Sequence, residues 1–562
     1  MHFKQDLDAS RWGPIRKRLK RINKLNINSV DVLIDYLEKY SELYDMVEDK
    51  TMLKGGKFLA NQNFSNTMSL LWYALRVTLP AFLARKKAFK KIYSSEFFED
   101  LPDSRFAHLK RLLPSTKELK SSLLSSAKEY LTVMFSYTNK LSGLRVDYED
   151  EKYSLYKIAK LFRDPQRDVR MKAWQASYGR LVEVQPKFNK VFSKLLKMRH
   201  KRAIKNGFDN ARDYYHALKK RFDYTPDDCY TFHASVEEVI VPFVRELNEA
   251  KQKALELDDF RPWDKFVSSG KSPLKPYETI DELIQKMVRV FTKIKPEYGK
   301  LLDGMHQSGF IDPENRKGKV PGAMSIPLND HRAGYIIANT VGHASDVMTI
   351  AHEGGHAMHW AAAADLNVAM YHEFLLFPME IAEVGSMAMV FLIFDYLDEF
   401  YDDPADIKRA KLGQLHNAIR TLPNAMIIDA FQQWVYTHPK HSMDERLDYF
   451  KGLVDRFDGA AGVNYEGLDN EKGTIWLRYS HVFQSPFYYI EYAIAQLAAL
   501  GIYRNYRDNQ EDAIQKYDDF IHLGNSKPMP EVYKAAGVQF NFSKGYIKEI
   551  LDFVKREIKI LM

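Results

Sequence analysis

The sequence predicts a mainly α, multi-helical protein with one small β element. Apolar residues recur three and four apart over most of the 562 residues. Capping residues and prolines punctuate these runs at helix spacing, and only the stretch 319–339 has a strand-like pattern. A hydrophobic share of 45% over this length supplies enough apolar surface for substantial cores.

Between 29 and 54, Val30, Leu33, Ile34, Leu37, Tyr40 and Tyr44 are interleaved with Asp35, Glu38 and Lys39, giving a surface helix that Ser29 can cap. The period continues from Phe64 through Met68, Leu71, Leu75 and Leu79, is interrupted at Pro80, and resumes toward the basic run Arg85 to Lys91. Residues 105–146 read as one or two helices, broken and recapped at Pro114-Ser115-Thr116, and 147–168 as a loop plus a short helix. Arg170 to Gly207 is helical, with a basic C-terminal end that suits the helix dipole. Thr225-Pro226-Asp227-Asp228 starts a further helix within 211–256, and Pro262, Pro273 and Pro276 mark an irregular connection to a helix at 279–291. Ala323–Leu328 and Gly334–Ala338 then form a candidate hairpin around Asn329-Asp330-His331-Arg332. After 345–389, helices are expected at 406–436 and 441–457, a flexible glycine-containing stretch from Asp458 to Gly473, and an apolar helix from Ala493 to Leu500.

Lys plus Arg outnumber Asp plus Glu by 82 to 74, a net charge of +8 that is small beside the total. With no recognition motif or aromatic platform beside it, the run Arg85 to Lys91 reads as a solvated helix face, and nucleic acid is not an expected partner. The single cysteine, Cys229, excludes an intrachain disulfide and reads as an inert thiol. Met1 to Arg11 lacks a signal-peptide core, and the apolar run Met387–Phe394 soon meets Asp395 and Asp398. The expectation is a soluble cytoplasmic protein with no membrane partner.

The chemistry concentrates in 345–389. His352-Glu353-Gly354-Gly355-His356 matches H-E-x-x-H. Residues four apart on a helix lie about 40° apart around its axis, so His352 and His356 aim at one small volume with Glu353 beside them. That arrangement suits one zinc ion, which needs a further protein ligand and an open position. Ser345 can cap this helix, with Asp346 in its first turn, and the small residues around the histidines allow close packing. Pro378 suits the first turn of the next helix, where Glu380 and Glu383 share a face. One can ligate zinc while the other supports a ligand imidazole, and spacing leaves the two even. His359, three after His356, suits packing or support behind the ligands; His331, His343 and His372 are weaker candidates.

These segments resemble the oligoendopeptidase F branch of the zinc peptidases that include thimet oligopeptidase. His352-Glu353-Gly354-Gly355-His356-Ala357-Met358-His359 fits the family form H-E-x-G-H-x-x-H, preceded by Asp346-Val347-Met348-Thr349. Lys317-Gly318-Lys319 with Gly322-Ala323 is similar to the family's approach to the site, and Ala382-Glu383-Val384-Gly385-Ser386 to the segment of its third zinc ligand. The resemblance therefore implies Glu383 as ligand, leaving Glu380, His359 and Asp346 as supports. Tyr479 to Tyr492, with His481 and Pro486-Phe487-Tyr488-Tyr489-Ile490-Glu491-Tyr492, is similar to the family's substrate and transition-state segment. One departure is the apolar Met389-Val390, where many relatives carry another acid.

The resemblance implies a zincin-type fold with a deep substrate channel and an endopeptidase acting on short unfolded peptides. In that reading one zinc per chain sits on His352, His356 and Glu383, and Glu353 is general base. His481 with Tyr489 or Tyr492 stabilises the oxyanion, Tyr488 being the register alternative. Tyr488, Gly462 and Ala323 are expected to contact substrate, an N-terminal helical domain to span 1–169, and a catalytic domain 170–562. A zinc carboxypeptidase of similar helical fold and a non-catalytic peptide-binding protein are the alternatives.

Overall fold

The computed structural model describes residues 7–118, 129, 132–267, 274–320, 322–364 and 378–562. Helices dominate, accompanied by a two-stranded and a three-stranded sheet. The chain groups into two compact units, one comprising Met1–Lys117, Leu274–Lys411 and Ala498–Phe540, the other Glu118–Pro273, Leu412–Leu497 and Asn541–Met562. Each unit draws on three separate stretches of the chain.

The first unit is built around the three-stranded sheet. Met324–Leu328 and Ala333–Thr340 form the expected antiparallel hairpin, in register from Met324 opposite Ile337 to Leu328 opposite Ala333. Ile311–Glu314 adds in parallel on the far side of Ala333–Thr340, leaving Met324–Leu328 at an edge. Strand alternation gives the sheet two working faces. Tyr335 and Ile337, with Met324, Ile326 and Leu328, pack on Met52, Leu53 and Ala60 of the helix Val30–Ala60. On the opposite face, a Cβ at Gly334 would lie 2.9 Å from that of Ala357, so glycine brings the motif helix Ala344–Ala363 close to the strand.

The turn at 329–331 is held by buried Asp49, whose carboxylate accepts the backbone N–H groups of Asn329, Asp330 and His331 and pairs with the His331 ring at 3.0 Å. His331 is thereby engaged in the turn. Ser29 caps Val30–Ala60 as expected, its hydroxyl accepting from the Val32 amide at 3.3 Å.

The second unit contains the 39-residue helix Arg167–Lys205, tied to Met443–Val454 by the Arg446 to Asn189 hydrogen bond at 2.9 Å, and the packed pair Pro226–Ala254 and Lys544–Leu561. A short antiparallel hairpin pairs Arg145–Tyr148 with Glu151–Ser154, in place of the end of the helix expected to 146 and the start of the loop expected from 147. Phe192, Phe431, Trp476 and Phe483 form one aromatic core. Cys229 is buried, its thiol 3.5 Å from the Thr225 carbonyl.

Several local readings change. Pro114 does not break a helix: Asp103–Glu118 is continuous, as are helices containing Pro186, Pro242 and Pro423. Pro186 and Pro242 lie on exposed helix faces and Pro423 is buried, and in each the helix continues past the one backbone hydrogen bond that proline removes. The stretch from Asp458 to Gly473, expected to be flexible, is pinned. Ala461 and Phe260 carbonyls accept from Asn248 and from the Asn464 amide, each at 2.8 Å, and Asp458 accepts from Lys265 and Tyr465. Gly462 there has φ +86°, and its N–H donates to the Gly459 carbonyl.

One helical run among the described residues, Phe64–Tyr93, contains an 18-residue window of mean hydropathy 1.3, long and apolar enough to cross a membrane by length and composition alone.

Candidate active site

The motif helix begins one position before the expected Ser345 cap. His343 occupies the N-cap, and Asp346 turns back to accept the amides of Val341, Gly342 and His343 at 2.7, 2.8 and 3.0 Å. The Tyr277 hydroxyl donates to the same oxygen at 2.5 Å. Burial and this carboxylate push the Tyr277 pKa up to about 12, keeping it a donor. Asp346 thus fixes the entry of the helix through its capping bonds.

One turn and a half further on, His352 and His356 face each other, ring centroids 4.9 Å apart and nearly perpendicular. The helix Met379–Leu392 crosses here at glycine. A Cβ on Gly355 would lie 2.8 Å from the Gly385 carbonyl and from Ser386 Cα, and one on Gly385 would lie 2.7 Å from His359 Nδ1. Gly354 is likewise pressed on Phe291. This approach brings Glu383 Oε2 to 3.4 Å from His352 Nε2 and 3.5 Å from His356 Nε2.

The donor set fits zinc. Bonds of about 2.0–2.1 Å in a tetrahedral site separate neighbouring ligand atoms by roughly 3.3 Å. The two imidazole-to-carboxylate distances match that spacing, and all three ligand atoms lie within 4.8 Å of one another. Among the described residues this is the group of His, Cys, Asp or Glu side chains with metal-holding geometry.

Burial would raise the Glu383 pKa, but hydrogen bonds from His352 and His356 override it and hold the carboxyl well below its usual range. Ser386, which sequence reasoning passed over, donates to the Glu383 main-chain carbonyl at 3.0 Å and lies 3.3 Å from its Oε2. Its signal was a hydroxyl three residues after a candidate ligand.

Glu353 is 5% exposed, and its Oε2 finds no protein partner among the described residues. Burial raises its pKa, with Glu383 adding to the shift and the two histidines opposing it. Glu380 is fully buried and anchors the second helix through its main-chain carbonyl, which accepts from Tyr533 at 2.6 Å. Tyr517 does the same for the Gly385 carbonyl at 2.8 Å. Neither tyrosine carried a sequence signal, since both come from distant helices.

His359 packs against Phe520, and burial keeps its ring neutral with a pKa lowered to about 3. Met389, the apolar departure, sits at the glycine crossing, its Cβ 2.9 Å from where a Gly355 Cβ would be. Lys319 is spent on Asp312 and the Glu314 carbonyl, and Ala323 directly precedes the edge strand. His372 lies outside the described residues.

The second unit gathers the other predicted residues. The ring of His481 stacks on Tyr488 at 4.8 Å and meets Tyr489 and Tyr492 edge-on at 5.7 and 5.8 Å. All four are half-buried among fully buried neighbours. Burial raises the Tyr489 pKa against a hydrogen bond with Asn424, so its hydroxyl stays protonated.

Two imidazoles and a carboxylate held by crossed helices in a mainly helical protein of zincin type, with a glutamate beside them, make up the donor set of an H-E-x-x-H metal centre. The chain belongs to peptidase family M3, whose model matches residues 160–551.

Its relatives include an oligoendopeptidase F homologue of Borreliella burgdorferi, 25% identical over 323 residues covering 56% of this chain and 52% of that protein. The chromosomal oligoendopeptidase F of Lactococcus lactis subsp. cremoris is 23% identical over 407 residues, 71% of this chain and 65% of the relative. The chain thus spans between about half and two thirds of these relatives' lengths. A solved structure of Pz peptidase A with an inhibitor superposes with a TM-score of 0.89 over 99% of both chains at 21% identity. A putative oligoendopeptidase F from Bacillus anthracis str. Ames gives 0.84 over 99% of this chain and 98% of that one at 20% identity, a likeness of fold.

Proposed function

We propose that this chain is a zinc-dependent endopeptidase of short, unfolded oligopeptides. The observation that carries the reading is the close triangle of His352, His356 and Glu383 with Glu353 buried beside it. A zinc ion on those three ligands would supply Lewis acidity for water and for the scissile carbonyl.

Glu353 takes a proton from the attacking water and passes it to the leaving amine. A carboxylate whose pKa is raised by burial is better matched to both transfers than an ordinary surface glutamate. Glu380 and His359 back the ligand helices from the buried side. Ala323 and the edge strand Met324–Leu328 offer backbone groups to an extended peptide, which would recognise chain rather than side chain. His481 and Tyr489 or Tyr492 donate hydrogen bonds to the oxyanion, while Tyr488 lines the peptide's path; a Tyr489 hydroxyl kept protonated by burial suits that work.

The test is hydrolysis of a quenched short peptide blocked at both ends, with products read by mass spectrometry. Internal cleavage is expected, and Glu353→Gln with full zinc content should lose about 10²- to 10⁴-fold in kcat. Near-wild-type turnover by that variant removes the general base. Release of single residues only from free C-termini would instead make the protein a carboxypeptidase.

A further inference from the structure

The segment carrying His481 and the tyrosines contains a backbone feature that local sequence does not explain. Phe487, directly before Tyr488, has φ +60°, the left-handed region that a non-glycine residue seldom occupies. Such a conformation persists where the surroundings over-determine it, and here they do. The Phe487 carbonyl accepts from Arg221 Nη2 at 2.6 Å, and its N–H donates to Gln432 Oε1 at 3.1 Å. Its ring is buried against Tyr436, centroids 5.1 Å apart.

Arg221 does more than hold one carbonyl. The same Nη2 donates to Glu491 Oε1 at 2.8 Å, and both side chains are 1% exposed. Glu491 lies in the first turn of the helix that carries Tyr489 and Tyr492. Lys219 completes the group, 2.8 Å from Glu491 Oε1 and with its ammonium 5.3 Å from the Tyr488 ring centroid. One buried guanidinium therefore ties the reversed peptide before Tyr488 to the helix turn around Tyr489 and Tyr492. A planar, permanently charged donor suits such a link better than a lysine does.

We propose that Arg221 is a positioning residue for the peptidase reaction, fixing Tyr488, Tyr489 and Tyr492 against His481 by holding Phe487 in its left-handed conformation. The proposal rests on the reading that the His481 and tyrosine cluster acts on the transition state. It adds a residue outside the motifs, more than 250 positions earlier in the chain.

The experiment uses full-length, zinc-loaded protein and a short end-blocked peptide. Arg221→Met should lower kcat about 10- to 100-fold with KM within about twofold and zinc content unchanged, the pattern of an interaction made only in the transition state. Arg221→Lys keeps the charge against Glu491 and should recover part of that loss; it serves as the test variant if Arg221→Met does not fold. In a background carrying Tyr488→Phe, Tyr489→Phe and Tyr492→Phe together, Arg221→Met or Arg221→Lys should have little further effect, because the hydroxyls it positions are already removed. Equal losses from the Arg221 variant in both backgrounds, a change in KM alone, or unchanged turnover while His481→Ala is impaired would each overturn the proposal. If His481→Ala and the three Tyr→Phe variants all turn over like wild type, it is the transition-state reading of the cluster that fails.

Discussion

Glu380 and Glu383 are three residues apart on one helix, yet only Glu383 brings a carboxylate oxygen within 3.5 Å of both imidazoles. Glu383→Ala is expected to lose zinc on dialysis, measured as metal per chain, and Glu380→Ala to retain most of it. Full retention by the first variant with loss from the second would exchange the two assignments. His352, Glu353 and His356 were legible because their relation is local: four residues on a helix fix a direction whatever surrounds them. Spacing alone could not choose between the glutamates, because the rotation of their helix is set by the packing of Gly385 and by the anchoring hydroxyls of Tyr517 and Tyr533. The cap of the motif helix was misread for a related reason. Ser345 is a good local cap, but the carboxylate of Asp346 satisfies three amides at once.

The crossing of the two helices decides whether two imidazoles and a carboxylate meet. Adding a methyl group at Gly385 sets it 2.7 Å from the buried His359 ring. Gly385→Ala should therefore cost about 1–3 kcal/mol, the range for overpacking a core, and weaken zinc retention with it. Gly413, in the helix Pro404–Thr437, has open space around its Cβ position. Gly413→Ala should be neutral or stabilising by up to about 1 kcal/mol. Denaturant midpoints of both variants check this, and equal midpoints would show that the crossing tolerates side chains. At this scale the hairpin was legible from alternation and turn residues. The strand Ile311–Glu314 was not, being four residues long, containing Pro313 and pairing in parallel with a partner more than 20 residues away. Such short strands are defined by the neighbour that accepts their hydrogen bonds.

Stability of the whole molecule should respond to acid and to metal. His108 is 2% exposed, and burial, with Arg111 adding, lowers its pKa from 6.5 to about 4. Burial with Arg420 does the same to His416. A histidine whose folded pKa is depressed takes up its proton first in the unfolded chain. Its stabilising contribution is therefore complete above pH 6.5 and is lost as pH falls toward 4. For His108 the ceiling on that loss is about 3 kcal/mol. The thermal midpoint should fall between pH 7 and pH 5, and less steeply in His108→Gln; equal falls in both proteins would exclude the histidine as a cause. On the proposed reading zinc would bind only the assembled ligands, so chelation should lower the midpoint and added zinc restore it. The stabilisation is about 4 kcal/mol when free zinc exceeds Kd a thousandfold. A midpoint indifferent to chelator would mean that the three ligands hold no metal in solution.

By itself the sequence determined the helical character, the hairpin ahead of the motif and the pairing of two histidines with a glutamate, all set by interactions a few residues long. Only the tertiary structure decided which second carboxylate approaches the imidazoles, what fixes Phe487 before Tyr488, and which stretches share a core. Those outcomes depend on glycine contacts and buried hydrogen bonds between residues far apart in the chain, whose partners no local pattern specifies.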